Sequence, residues 1–252
     1  MYDPHDSSRT ALRAQRLSRA LAELGHRVGE DEALAVLKAC EREHDLHDGE
    51  EEWGPADQVG WILKRLSVDS ALRARAHVAV IGPYGDAALA VPPEVFPDAK
   101  AVVAELARSY GLALICNTGA TPGRVLRVLL DRSGLSGHFK VMVFSDELGY
   151  RKPSPRAFDA ALAGLGLAAG NVAHIGDNPL TDVQGAKRAG MRGILLTGGW
   201  HGSRPYRSPG EADAAAPDAI ATSLVQLPAV IAALEAAAAG PGKARGGNLD
   251  PA

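Results

Sequence analysis

Three observations predict an α/β fold: a parallel sheet covered by helices on both faces, with an all-helical unit ahead of it. From about residue 98 onward, strand-length apolar runs alternate with helical stretches, as in strands joined by helical crossovers. Up to about residue 90 the periodicity is helical throughout. Between the two lies VPPEVFPDA, residues 91–99, a proline-rich crossing that marks a domain boundary.

The bulk properties narrow the class. A chain of 252 residues accommodates one large domain or two modest ones. With 46% apolar and 23% charged residues it has ordinary globular composition. A net charge of −3 offers no field for nucleic acid or an anionic membrane, so neither partner is expected. Cys40 and Cys116 have no zinc-like or redox spacing, and a reducing, cytoplasmic setting is expected. The opening MYDPHDSSRT has neither the basic nor the apolar region of a signal peptide, and no apolar run reaches membrane-spanning length.

In the first unit, helix begins at about Ser8, with Leu17, Leu21 and Leu24 on one stripe and Gly25 as terminator. Arg9, Arg13 and Arg16 fall on another face, expected to be solvated or, alternatively, to grip an anion. A second helix from about Asp31 aligns Ala33, Val36, Leu37, Cys40 and His44, which makes Cys40 a small core residue. It runs into REHDLHDGEEE, where His44, His47 and the acids read as water-facing helix-end residues, a metal site being the alternative. After Gly54-Pro55, a third helix carries Val59, Ile62, Leu63 and Leu66. A fourth starts at Asp69-Ser70 and carries Leu72, Ala76 and Ala79.

In the second unit, helices are expected over 98–109, 122–130 and 155–165, and strands over 112–116, 141–144, 172–175 and 193–196. Pro179 opens a helix that Gly190 ends. Residues 198–216 form a polar loop whose Trp200-His201 pair could line a site. A short strand (219–221) and a helix (224–234) follow, and the alanine- and glycine-rich tail is expected to be disordered. The division is therefore 5–91, 92–236 and a tail of 237–252.

Three strand ends gather polar groups, and in open α/β sheets ligands bind at the carboxyl ends of the strands. Cys116-Asn117-Thr118-Gly119 is either an anion-binding nest or an ordinary turn. In SDELGYRKPSP, residues 145–155, Pro153 holds Lys152 in extended backbone, where it can serve a phosphate as a point charge or be a surface lysine. Asp177 and Asp182, in GDNPLTD, either deliver two hard oxygen ligands suited to Mg²⁺ or simply charge a helix start.

The order NTG, KP, GDNPLTD, each after its own strand, resembles the haloacid dehalogenase superfamily of aspartate-nucleophile phosphohydrolases. FSDELGYRKPSPRAF and HIGDNPLTDVQGAKRAGM are similar to long family segments, and the likeness covers about residues 96–234. It implies a Rossmann-like core over 92–236, with residues 5–91 as a helical cap. It also implies a Mg²⁺-dependent phosphatase of a small phosphorylated metabolite, working through an aspartyl-phosphate intermediate. By the same resemblance Lys152 would hold the nucleophile and phosphoryl oxygens together, and Asp177 would bind Mg²⁺. Asp182 would support the ion or Lys152, and Asn117, with Cys116 and Thr118 beside it, would grip the phosphoryl group.

The chain departs from the family pattern twice. Cys116 stands where Ser or Thr is usual, and a thiol is the poorer donor to phosphate. The first motif, an apolar strand ending in Asp-x-Asp, is absent; Asp3 and Asp6 have the wrong spacing. The expectation is a clipped N-terminus, a central strand missing from the sheet, and little or no activity in the chain as written. Two other readings stay open: a metal-free haloacid dehalogenase, and a non-catalytic relative that binds a ligand through the retained scaffold.

Overall fold

The computed structural model describes residues 6–47, 49–198 and 215–239. Trp200-His201 and the tail beyond Ala239 lie outside these residues. Among the described residues, five helices form the first unit: α1 (Asp6–Glu23), α2 (Glu30–Leu46), α3 (Pro55–Arg65), α4 (Ser70–Gly85) and the short α5 (Ala87–Ala90). Local chemistry sets their starts. Asp69 caps α4 by accepting from the Ala71 N–H at 2.8 Å, and Pro55 occupies the first turn of α3, where a missing N–H costs nothing. Leu17, Leu21, Leu37, Val59, Ile62 and Leu63 bury together at the centre. Cys40 joins this core as expected, and burial pushes its thiol up to about 12.

The arginine face of α1 is not solvated as its spacing suggests. Arg9 and Arg13 are 5% and 4% exposed. Arg13 donates to the Tyr84 carbonyl and to Thr121 Oγ1, Arg9 to the Val91 carbonyl and Arg16 to the Pro83 carbonyl. Cationic groups meet the carboxyl ends of α4 and α5, where unpaired carbonyls and the helix dipole favour them. Arg13 thereby ties the helical unit to the turn after the first strand.

The second unit follows the expected alternation: α6 (Ala99–Leu106), β1 (Leu112–Cys116), α7 (Gly123–Arg132), β2 (Phe139–Phe144), α8 (Ser145–Leu148), α9 (Pro155–Leu165) and β3 (Ala173–Gly176). A π-helical turn (Pro179–Gln184), α10 (Gly185–Arg188), β4 (Arg192–Leu196), β5 (Ala219–Ala221) and α11 (Leu227–Ala239) complete it. The pairings among the strands β1 to β5 are parallel, with Leu114 beside Met142, Ile175 beside Ile194, and Leu195 beside Ile220. Among the described residues the strands form two sheets, β1-β2 and β3-β4-β5. One face packs on α6 and α11 through Val102, Leu106 and Leu227; the other packs on α9 and α10 through Phe158, Ala161 and Ala186. Among the described residues no helix is long and apolar enough to cross a membrane.

Two details differ from expectation. α11 continues to Ala239, three residues into the stretch read as tail, because its alanines favour helix. The helix expected from Pro179 is π-wound over its first six residues. There Asn178 Oδ1 accepts from the Leu180 and Thr181 N–H groups, and Val183 N–H reaches back five residues to the Asn178 carbonyl. Such widened turns recur at functional sites. Gly190, with φ of +77°, closes α10 in the left-handed conformation its position predicts.

Candidate functional site

The site forms where β1, β2 and β3 end. Asn117 follows β1 directly, and its side chain is committed at both ends to Lys152. Nδ2 donates to the Lys152 carbonyl at 3.0 Å and Oδ1 accepts from the Lys152 N–H at 2.8 Å. This clasp fixes the loop after α8, where the Lys152–Pro153 peptide is cis.

So held, Lys152 sends its Nζ to Asp182 Oδ1 at 2.6 Å, and both side chains are largely buried. The same oxygen accepts from His174 Nε2 at 2.9 Å, while Asp182 Oδ2 accepts from the Asn178 N–H at 3.0 Å. An ionised carboxylate only accepts, so His174 carries its proton on Nε2. Gly176 is required here: a Cβ at that position would lie under 3 Å from the Asp182 side chain.

Electrostatics follow from this geometry. Burial alone would raise the Asp182 carboxyl, but Lys152 and His174 outweigh it and hold the group well below the usual carboxylate range. Burial pulls Lys152 down, yet Asp182 leaves the ammonium above its ordinary value. His174 goes the other way, lowered chiefly by burial. Asp177 stands exposed at the end of β3; partial desolvation and the charge of Asp182 raise its carboxyl. It is therefore an acid short of positive charge, whereas Asp182 has both oxygens engaged.

The remaining predicted residues are turned toward the protein. The Thr118 N–H donates to Ser145 Oγ at 2.8 Å, with the two hydroxyls 3.2 Å apart. The Cys116 thiol points at the Asn117 carbonyl at 3.5 Å, and burial raises it. The structure thus links Asn117, Lys152, Asp182 and Asp177 at one edge, and turns Thr118 toward Ser145.

Three contributors escape a reading by motif. His174 lies inside an apolar run, where nothing signals a partner. Ser145 opens α8 directly after β2. Glu52, read with its neighbours as water-facing, is instead buried, with a 2% exposed side chain 3.8 Å from His44. The cause is a clamp between the two units: Glu52 N–H donates to the Gly149 carbonyl and Arg151 N–H to the Glu50 carbonyl, with Glu51 bridging Tyr150. His44 stacks on Trp53 behind it. The helical unit is thereby joined to the loop that carries Lys152.

Comparison with known proteins agrees with this architecture. The sequence model of the haloacid dehalogenase-like hydrolase family matches residues 3–190. A phosphoserine phosphatase of Thermus thermophilus is 41% identical over 115 residues, 46% of this chain and 45% of the relative. A phosphoglycolate phosphatase of Rhodospirillum rubrum is 36% identical over 107 residues, 42% of this chain and 43% of the relative. The matched stretches thus span less than half the length of these curated relatives. Among solved structures, a 2-haloacid dehalogenase of Pseudomonas syringae pv. Tomato DC3000 superimposes with a TM-score of 0.61 at 23% identity, covering 92% of this chain and 97% of that one. A HAD phosphatase of Thermococcus onnurineus gives a TM-score of 0.57 at 21% identity, covering 90% and 94%. The parallel α/β unit, the ordered strand-end motifs and the family match over most of its length place this chain among the haloacid dehalogenase-like hydrolases.

Proposed function

We propose that this strand-end site serves phosphoryl transfer from a small phosphorylated metabolite, in a cytoplasmic setting and with Mg²⁺. The observation that carries the reading is the Asn117–Lys152–Asp182 chain. It spends a long-range clasp and a buried ion pair on holding one ammonium at the ligand edge of the sheet. Positioned charge is what phosphoryl transfer needs, since its catalysis is mainly orientation and electrostatic stabilisation. Two phosphatases among the similar proteins support the choice of phosphorus.

The donor set fits a hard dication. Asp177 is exposed and lies in the negative field of Asp182, so a cation relieves its raised carboxyl, and Mg²⁺ commonly takes one or two carboxylates plus phosphate oxygens. Bound there, Mg²⁺ supplies charge neutralisation at the phosphoryl oxygens. Asp182 acts on Lys152 rather than as a direct ligand, because its oxygens are occupied. Lys152 faces the phosphoryl group, and the turn of Cys116, Asn117 and Thr118 serves by positioning it, through the Asn117 clasp on the Lys152 backbone.

The chemistry also needs a carboxylate to attack phosphorus. One P–O bond forms as the bond to the leaving alkoxide breaks, the alkoxide takes a proton, and water then frees phosphate and restores the carboxylate. Asp177 and Asp182 have other duties, so residues 1–252 alone are proposed to turn over phosphate esters poorly. Calorimetry with inorganic phosphate and Mg²⁺ tests the reading: each should strengthen binding of the other, and Asp177→Ala should abolish that coupling. Phosphate binding indifferent to Mg²⁺ would count against it and favour the metal-free reading.

A further inference from the structure

The loop before α3 is joined to the core through backbone alone: Glu52 N–H donates to the Gly149 carbonyl at 3.0 Å, and Arg151 N–H to the Glu50 carbonyl at 2.9 Å. That ladder makes no demand on the side chain at position 52. Yet the side chain there is a carboxylate, 2% exposed. A buried carboxylate is costly unless positive or donating groups face it. Among the described residues three do. His44 Nε2, from α2, stands 3.8 Å from Glu52 Oε1, and the Arg151 guanidinium and the Ser145 hydroxyl approach from the core. Both Glu52 oxygens, His44 Nε2 and Arg151 Nη1 are buried and make no direct hydrogen bond among the described residues. The attraction is therefore one of charge, which falls off slowly with distance and asks for no particular alignment. Burial would raise the Glu52 carboxyl, yet His44, Ser145 and Arg151 together hold it below its usual value.

What these partners carry explains the charge. Arg151 immediately precedes Lys152. Ser145 Oγ accepts the Thr118 N–H at 2.8 Å and so anchors the turn after β1. In the same turn, a Cβ on Gly119 would touch the His44 ring at 3.8 Å. The turn and the Lys152 loop are the two segments that Asn117 clasps together. One carboxylate of the helical unit thus faces both pieces of the core that set the Lys152 ammonium.

We propose that Glu52 is a positioning residue for Lys152: its charge, supplied by the helical unit, holds Arg151 and Ser145 in place, and with them the clasped turn and loop. It touches neither the phosphoryl group nor the metal. Its value to phosphate binding rests on the functional reading above, whereas its hold on the Lys152 loop does not.

The test follows variants of the full chain by amide exchange and by calorimetry with inorganic phosphate and Mg²⁺. Glu52→Gln keeps the shape and drops the charge, so exchange at the Arg151 and Lys152 amides should quicken about tenfold, with β3 and β4 unchanged. Phosphate affinity should fall by about tenfold as well, and Arg151→Met should reproduce both effects. The double variant should be no worse than either single one, because both remove the same attraction. Arg151→Lys should restore most of the loss, since charge and not a fork of hydrogen bonds is used. Glu51→Gln, an equal loss of charge at an exposed neighbour, should change neither measurement. Unchanged exchange in Glu52→Gln, additive losses in the double variant, or quickening that spreads equally to β3 and β4 would overturn the proposal. Should Glu52→Gln fail to fold, Arg151→Met decides alone, and no local quickening there overturns it too. Phosphate that binds parent and Glu52→Gln equally, with exchange unaltered, removes this proposal and leaves the functional reading. Local quickening in a chain that binds no phosphate, even with Mg²⁺, does the reverse.

Discussion

Asn117 clasps the backbone of Lys152 from 35 residues away, donating to its carbonyl at 3.0 Å and accepting from its N–H at 2.8 Å. The turn after β1 and the loop after α8 therefore move as one piece, and the Lys152 ammonium stays where Asp182 can hold it. Removing the clasp strands two polar backbone groups in a part-buried setting. Asn117→Ala should cost about 2–3 kcal/mol, and Asn117→Asp, which keeps the acceptor, about half that. Urea unfolding measures both; an alanine variant as stable as the parent would refute the assignment.

The two aspartates at this edge should respond in opposite ways to neutralisation. Asp182→Asn leaves Lys152 buried without its counter-charge, so a loss of about 3–5 kcal/mol is expected. Asp177→Asn removes an exposed charge that its surroundings disfavour, and should leave stability unchanged or slightly raised while abolishing Mg²⁺-coupled phosphate binding. Thermal midpoints of the two variants side by side would show the contrast. Similar losses in both would mean that Asp182 carries no special share of the Lys152 charge.

Acid should destabilise the protein in two stages. The folded His174 pKa is lowered, so the unfolded chain binds the proton first. Its contribution is complete above about pH 6.5 and is lost as pH falls through the lower folded value. The folded Asp182 pKa is also lowered, and its contribution is present above about pH 3.9 and lost below that as the carboxylate protonates. Denaturation between pH 7.5 and 3 should show the first decline begin near the histidine range. His174→Asn should erase that first stage and leave the second.

Arg13 should matter far more than Arg16, although both sit on the same helix and both meet carbonyls near the end of α4. Arg13→Met leaves the Tyr84 carbonyl and Thr121 hydroxyl without their buried donor, for an expected loss of about 2–3 kcal/mol. Arg16→Met, at a more exposed contact, should change stability by about 0.5 kcal/mol or less. Equal effects would show that burial of Arg13 adds nothing to the tie between the two units.

What the sequence determined by itself is whatever depends on near neighbours. The span of α9 from Pro155 to Leu165, the Asp69 cap, the left-handed Gly190 and the parallel α/β alternation all follow from periodicity and turn chemistry within a few residues. The identity of the strand-end residues was legible too, since each motif closes its own strand. Tertiary structure decided what those residues touch. Asn117 reads as a phosphate-gripping amide, yet it clasps a backbone 35 residues away. Arg9 and Arg13 read as a solvated face, yet the carbonyls of α4 and beyond draw them inward. His174 sits silently in an apolar run until Asp182 folds back against it. Hydrogen bonds and ion pairs between distant segments depend on where the whole chain brings its groups, and local pattern carries no record of that.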